Sequence, residues 1–217
     1  MNKCKLILFD MDGVTIDTEP LYEKGETKLF AEYGVKIPLD DWKIFRGCTE
    51  EKFYTISMDR YKIKEKRNVF MYKGRRYILE EFEKNLTFMK GFKKLISRIK
   101  DKYKIGLVTA SPEHMFNWIN SRLHLNKIFE HIVHGGMTQR SKPSPDPYIL
   151  AMNKFNLFPD NTLIIEDSIN GITAAKRSNA KVIALAGSVD KNSFPLGCTV
   201  IESLDEVNIS FINNIFS

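Results

Sequence analysis

Short apolar runs that alternate with helix-periodic stretches from Gly91 onward predict an α/β chain built on a parallel sheet. One further apolar run, Leu6-Ile7-Leu8-Phe9, stands apart from that series, and the text between them is helical and charged. The expected fold class is therefore α/β, with a Rossmann-like parallel sheet core and an α-helical insert. The first core strand lies in residues 1–15, the insert in 16–88 and the remaining core in 89–217.

Each element has a local reason. Leu6–Phe9 is an unbroken apolar run, as a strand covered on both faces requires. In the insert, Leu21, Leu29, Phe30 and Tyr33, then Phe53 and Ile56, then Leu79, Phe82 and Leu86 recur at helical spacing, and no alternating stretch interrupts them. Beyond it the order reads helix Phe92–Lys102, strand Tyr103–Thr109, helix Pro112–Leu123 and strand His131–His134. There follow helix Pro147–Phe155, strand Thr162–Asp167, helix Gly171–Ser178 and strand Lys181–Ala186. Thr199–Ile201 can add an edge strand, and Val207–Phe216 a closing segment. Such βα units join parallel strands by right-handed crossovers.

Chemistry concentrates where the apolar runs end. Asp10-Met11-Asp12-Gly13-Val14-Thr15 follows the first run and places two carboxylates two residues apart at the carboxyl edge of a sheet, where ligands of open α/β sheets bind. Acids that close repel one another unless a cation joins them or one is protonated. Taken alone, the pair could equally cap a helix or shape a turn. Three more strand ends change the weighing. Thr109-Ala110-Ser111 leaves hydroxyl and N–H groups free to face an anion. In Ser141-Lys142-Pro143-Ser144-Pro145-Asp146, two prolines stiffen the backbone around a lysine suited to phosphate. Glu166-Asp167-Ser168, with Asn170-Gly171 opening a helix, delivers two further acids that would complete a hard oxygen set for Mg²⁺.

In order and placement these four segments resemble the four motifs of the haloacid dehalogenase superfamily of phosphotransferases, over Lys5 to about Gly187. Within it, the chain is similar to the group of β-phosphoglucomutases and small sugar-phosphate phosphatases. The resemblance implies that Asp10 is the nucleophile that becomes an aspartyl phosphate and Asp12 the general acid and base. It implies Mg²⁺ bound by Asp10, the Asp12 carbonyl and Asp167, with Glu166 acting behind them or through water. Thr109, Ala110, Ser111 and Lys142 would hold the phosphoryl oxygens. The insert would be an α-helical cap that selects substrate, through Arg46, Gly47 and Thr49 of one cap loop and through Lys73. Departures favour the phosphatases: Pro20-Leu21 follows their pattern, Tyr22 stands where the mutases carry histidine, and Glu50 where they grip a second phosphate with arginine. A mutase is the alternative.

With 43% apolar residues the composition is that of an ordinary globular protein. Cys4, Cys48 and Cys198 lie far apart without metal-like spacing, and no run of about 18 apolar residues exists, so a reduced cytoplasmic setting is expected, with no membrane partner. His114, His124, His131 and His134 lack the paired spacing of zinc helices and are expected to be surface or packing residues. The net charge of +6 draws attention to the run Arg60–Arg67 with Lys73, Arg75 and Arg76. A solvated helical face explains it more simply than RNA binding does. A non-catalytic binder built on that basic cap would have no reason to keep acids at 10, 12 and 167. The expected partner is a small phosphorylated metabolite rather than nucleic acid, and the chain is expected to act as a monomer.

Overall fold

The structure, a computed structural model, describes residues 3–45, 50–187, 193–195 and 197–217. Two compact units divide the chain: Met1–Ile16 with Phe88–Ser217, and Asp17–Thr87.

The first unit is a parallel sheet of six strands: β1 (Leu6–Phe9), β2 (Lys104–Pro112), β3 (His131–Gly135), β4 (Thr162–Glu166), β5 (Lys181–Leu185) and β6 (Thr199–Ile201). Their spatial order is β3-β2-β1-β4-β5-β6, and every pairing is parallel. This is the doubly wound order whose direction reverses beside the first strand, so the carboxyl ends of β1 and β4 flank the crevice in which such sheets take ligands. All four residues of β1 are buried, as are all five of β4, which is why β1 and the Leu163-Ile164-Ile165 centre of β4 read as apolar runs. Leu6, Leu8, Val108, Val133, Tyr148, Ile164 and Ala184 belong to one apolar core.

Helices cover the sheet for local reasons. Gly91, at φ +84°, opens α5 (Phe92–Ile99), which turns Phe92, Leu95 and Ile99 inward. Ser168 caps α8 (Ile169–Arg177) by accepting the Gly171 N–H, and Ile172, Ala174 and Ala175 face the core. The unit also contains α6 (Glu113–Leu123), α7 (Asp146–Lys154) and α9 (Ile209–Ile215). The second strand runs on to Pro112 instead of stopping at Thr109, with a register shift against β3 between Val108 and Pro112.

The second unit is helical among the described residues: α1 (Glu19–Ala31), α2 (Leu39–Phe45), α3 (Glu50–Arg60) and α4 (Arg67–Asn85). Its centre is aromatic. The Phe30 ring meets Phe53, Tyr61 and Phe70 edge-on at 5.2–6.2 Å, distances at which such contacts attract. Asp41 accepts two hydrogen bonds from Arg60 (2.6 and 2.7 Å) and one from Tyr61, which ties α2 to the end of α3.

Charge is distributed differently from the expectation that the helical insert holds the basic excess. Residues 17–87 contain fifteen Lys and Arg against fourteen Asp and Glu, while the rest of the chain holds eighteen against thirteen. Acids elsewhere in the sequence neutralise much of the basic run. Arg60 pairs with Asp41, Arg67 with Glu51, Lys73 with Glu32, Arg75 with Glu50, and Arg76 with Glu32 and Glu80.

Candidate active site

The loop after β1 is built to hold a carboxylate rigidly. The Asp10 N–H donates to the Ile165 carbonyl (3.0 Å), which fixes β1 to β4 at their carboxyl ends. Thr15, fully buried, donates its hydroxyl to the Asp10 carbonyl (2.6 Å), and the N–H groups of Thr15 and Ile16 both reach the Met11 carbonyl at 2.9 Å. Gly13 makes the turn possible in two ways: its φ is +79°, and a Cβ there would overlap the Asp167 carboxylate.

Four sequence-distant side chains meet beside that loop. The Lys142 ammonium donates to Asp10 Oδ1, to Glu166 Oε1 (2.6 Å) and to the Val108 carbonyl (3.1 Å). Glu166 has no solvent exposure. Its Oε1 also accepts from the Tyr148 hydroxyl (2.9 Å), and its Oε2 accepts from the N–H groups of Asp167 and Ser168 and from the Ser168 hydroxyl at 3.0–3.1 Å. Five donors therefore hold one carboxylate. A Cβ at position 171 would collide with that carboxylate, so the glycine lets the first turn of α8 close over it.

Burial dominates the electrostatics. It pushes Asp10 up to about 8, against the pull of Lys142 and with help from Glu166 and Asp12. Burial alone would also lower Lys142, but the carboxylates of Asp10 and Glu166 outweigh it and hold the ammonium well above the ordinary lysine range. Glu166 goes the other way: Lys142, the Ser168 N–H and Tyr148 outweigh burial and keep it below the ordinary glutamate range.

Asp10, Glu166 and Asp167 are all buried, and each offers an oxygen within 4.8 Å of the others'. Three hard oxygen donors that close fit a small divalent cation, whose charge would relieve the repulsion that raises Asp10. Because both Glu166 oxygens are already taken by protein donors, its fit is that of an organising group behind the ligands, positioning Lys142.

The remaining sequence-predicted residues fall in three places. Thr109, nearly buried at the end of the regular part of β2, accepts the Ser111 N–H on its hydroxyl (3.0 Å). Ser111 in turn donates its hydroxyl to Asp12 Oδ2 (3.0 Å), which joins the TAS segment to the DxD loop, and Ala110 between them is exposed. Lys73 lies in the helical unit, where its ammonium pairs with Glu32 (2.9 Å) and reaches the Tyr33 hydroxyl (3.1 Å). Arg46, Gly47 and Thr49 lie outside the described residues. The histidines are packing and surface groups: His131 sets its ring edge-on to Phe155, and His134 stacks on Phe116. Sequence reasoning missed Tyr148. Its signal was a tyrosine on α7, three residues past Pro145, and a core tyrosine needs a partner for its hydroxyl.

Known proteins corroborate this architecture. The haloacid dehalogenase-like hydrolase family matches residues 7–185. A phosphorylated carbohydrates phosphatase of Thermotoga maritima is 30% identical over 178 residues, 82% of each chain. Hexitol phosphatase B of Escherichia coli K12 is 26% identical over 216 residues, 92% of each. Among solved structures, a candidate β-phosphoglucomutase of Thermotoga maritima superposes with a TM-score of 0.81 at 27% identity over 97% of both chains. With a parallel sheet in the doubly wound order, the acids at the ends of β1 and β4, and a family match across most of its length, the chain belongs to the haloacid dehalogenase-like hydrolases.

Proposed function

We propose that this chain hydrolyses a small phosphorylated carbohydrate, a sugar or polyol phosphate, in a Mg²⁺-dependent reaction that passes through an aspartyl phosphate on Asp10. The observation that carries the reading is that the Asp10 carboxylate shares Lys142 with Glu166 and lies beside Glu166 and Asp167 at the carboxyl edge of the sheet. The relatives are themselves named as phosphatases of carbohydrate and hexitol phosphates.

A phosphate monoester dianion resists attack by water, so a covalent intermediate divides one difficult step into two easier ones. An Asp10 oxygen attacks phosphorus as the bond to the leaving oxygen breaks, and Asp12 gives that oxygen its proton. Asp12 then takes a proton from water, whose oxygen displaces Asp10 and releases inorganic phosphate. Asp12 suits this exchange: it is partly exposed, and its Ser111 contact fixes the side chain without neutralising it. Thr109, the Ala110 and Ser111 backbone and Lys142 hold the phosphoryl oxygens. Asp10, Asp167 and the Asp12 carbonyl would hold Mg²⁺, which supplies positive charge that keeps Asp10 ionised and offsets the phosphate. The helical unit is the cap of this reading, and Arg46, Gly47, Thr49 and Lys73 are its proposed substrate-selecting residues.

Incubation with β-glucose 1-phosphate, Mg²⁺ and a trace of the sugar bisphosphate tests hydrolase against mutase. Free phosphate is expected to accumulate, and fast isomerisation to glucose 6-phosphate with little phosphate released would assign the chain to the mutases instead. A screen of phosphorylated metabolites then identifies the substrate.

The metal has its own signature. Chelation with EDTA should stop turnover, Mg²⁺ should restore it and Ca²⁺ should not, because its looser coordination admits both Asp10 oxygens. Without metal Asp10 binds its proton up to about pH 8, so cation and proton compete for the same oxygens. Apparent Mg²⁺ affinity should therefore rise with pH, by up to about tenfold per unit, and level off above about 8. Titration calorimetry in buffers of different ionisation enthalpy reads the released proton directly, and a pH-independent affinity would remove Asp10 from the ligand set.

A further inference from the structure

Six of the first unit's lysines stand at the edge of the sheet opposite the catalytic one, where the parallel strands begin. Lys104 opens β2 and Lys181 opens β5, while Lys5 precedes β1 and donates its N–H to the Asn161 carbonyl just ahead of β4 (2.9 Å). Lys104 donates its own N–H to the Lys5 carbonyl (2.9 Å), and the Asn161 side chain donates to the Lys3 carbonyl (3.0 Å). Across the order β2-β1-β4-β5 these starts lie in a row spanning three strand spacings, about 14 Å. Lys102 enters the same row ahead of β2, and Lys154 ends α7 next to Phe155, over whose ring the Lys104 ammonium sits at 5.9 Å.

Two features of these six lysines leave their charge available to a ligand. All six are exposed, and none forms an ion pair within 4 Å among the described residues, although Asp101, Glu130 and Asp160 share the edge. Phe158 stands in the same place with 72% of its surface exposed. Its carbonyl accepts from the Asn161 N–H (3.0 Å) and the Thr162 hydroxyl (2.9 Å), which fixes the backbone that carries the exposed ring just ahead of β4.

We infer that this edge is a docking surface for the phosphodiester backbone of single-stranded RNA, with Phe158 as a stacking platform for a base. A row of unpaired cations beside an exposed aromatic ring is the combination that binds single strands without reading sequence. Lysines provide point charges without the planar fork of arginine, so the surface follows phosphates rather than base edges. One aromatic side chain is little to anchor in a bilayer, but it is enough to stack a base. The surface lies away from the acids of the active site, so binding here and phosphatase turnover are separate properties.

Fluorescence anisotropy of the full chain with a labelled 20-nucleotide RNA carrying hydroxyl ends tests this, because such an RNA offers the phosphatase site no monoester. With about five lysines engaged, log affinity should fall against log salt with a slope of about −3.5. The triple variant Lys5→Gln, Lys104→Gln, Lys181→Gln should bind at least about tenfold more weakly at low salt, with the slope reduced by about 2. Phe158→Ala should weaken binding about fivefold or more and leave the slope unchanged. Lys64→Gln with Lys66→Gln, in the helical unit, should change neither, and kcat/KM on a sugar phosphate should be constant throughout, which also reports that each variant is folded. Absence of RNA binding, or a triple variant that binds like the parent, overturns the inference. So does binding of polyglutamate or phosphatidylserine vesicles in place of RNA, which would assign the edge to an acidic protein or a membrane.

Discussion

Asp10→Asn is expected to reduce kcat by a factor of about 10⁴ or more, the scale of removing a residue that acts as a unit with its neighbours. The amide cannot attack phosphorus, and it replaces a charged oxygen of the metal group by a neutral donor. The fold should survive, because Lys142 keeps its bonds to Glu166 and the Val108 carbonyl, and the Asp10 backbone is held by Thr15 and Ile165 whatever its side chain. Burial already favours the neutral form of this side chain, so an uncharged replacement removes little from the metal-free protein. Single-turnover assays with a purified variant of unchanged circular dichroism check this. Retention of near-parental turnover would show that Asp10 is not the nucleophile.

Lys142→Met is expected to cost stability as well as turnover. The lysine side chain is 6% exposed and lies between Asp10 and Glu166, which are 10% and 0% exposed. Removing the shared cation leaves the ionised Glu166 without its buried counter-charge, and breaking a buried pair in this way costs about 3–5 kcal/mol. Proton uptake sets the pH dependence. Asp10, raised by burial even in the parent, loses the cation that pulls it down, and Glu166 loses the charge that holds it below the ordinary range, so both rise and the variant is most stable at low pH. It then loses stability as pH rises through the folded values. Thermal unfolding from pH 5 to pH 9 should show the gap between parent and variant widening toward alkaline pH. A constant gap would mean that Lys142 contributes packing rather than charge. Lys142→Arg should not restore turnover, since the guanidinium fork is larger than the ammonium and directs its donors along fixed lines.

Much of this protein was legible along the chain. The strands of the first unit begin and end within a few residues of their expected places, because a strand buried on both faces must be apolar throughout and the residues that end it are polar or turn-forming. The longest departure, β2 continuing through Ala110 and Ser111 to Pro112, comes from pairing with β3 across a register shift, which no local pattern reports. The acids at 10, 12, 166 and 167, the hydroxyls at 109 and 111 and the lysine at 142 were visible for the same reason: each stands just past an apolar run or inside a proline-stiffened loop.

Interactions between distant positions were decided only by tertiary structure. That Tyr148 donates to Glu166 and that Glu166 holds Lys142 against Asp10 depends on α7, β4 and β1 meeting, across sequence separations of 18 to 132 residues. The charge of the helical insert is a second case, since Arg75 and Lys73 find their acids at Glu50 and Glu32, well beyond any window in which a basic run is read. The lysine row is the converse: Lys5, Lys104 and Lys181 are isolated in sequence and become neighbours only because a parallel sheet gathers all its strand starts at one edge. Periodicity and chain-local chemistry determine which elements form and which residues stand at their ends, because burial acts on each element's own faces. Which of those ends share a charge, a proton or a partner is decided by strand order, because electrostatics acts through space and takes no account of distance along the chain.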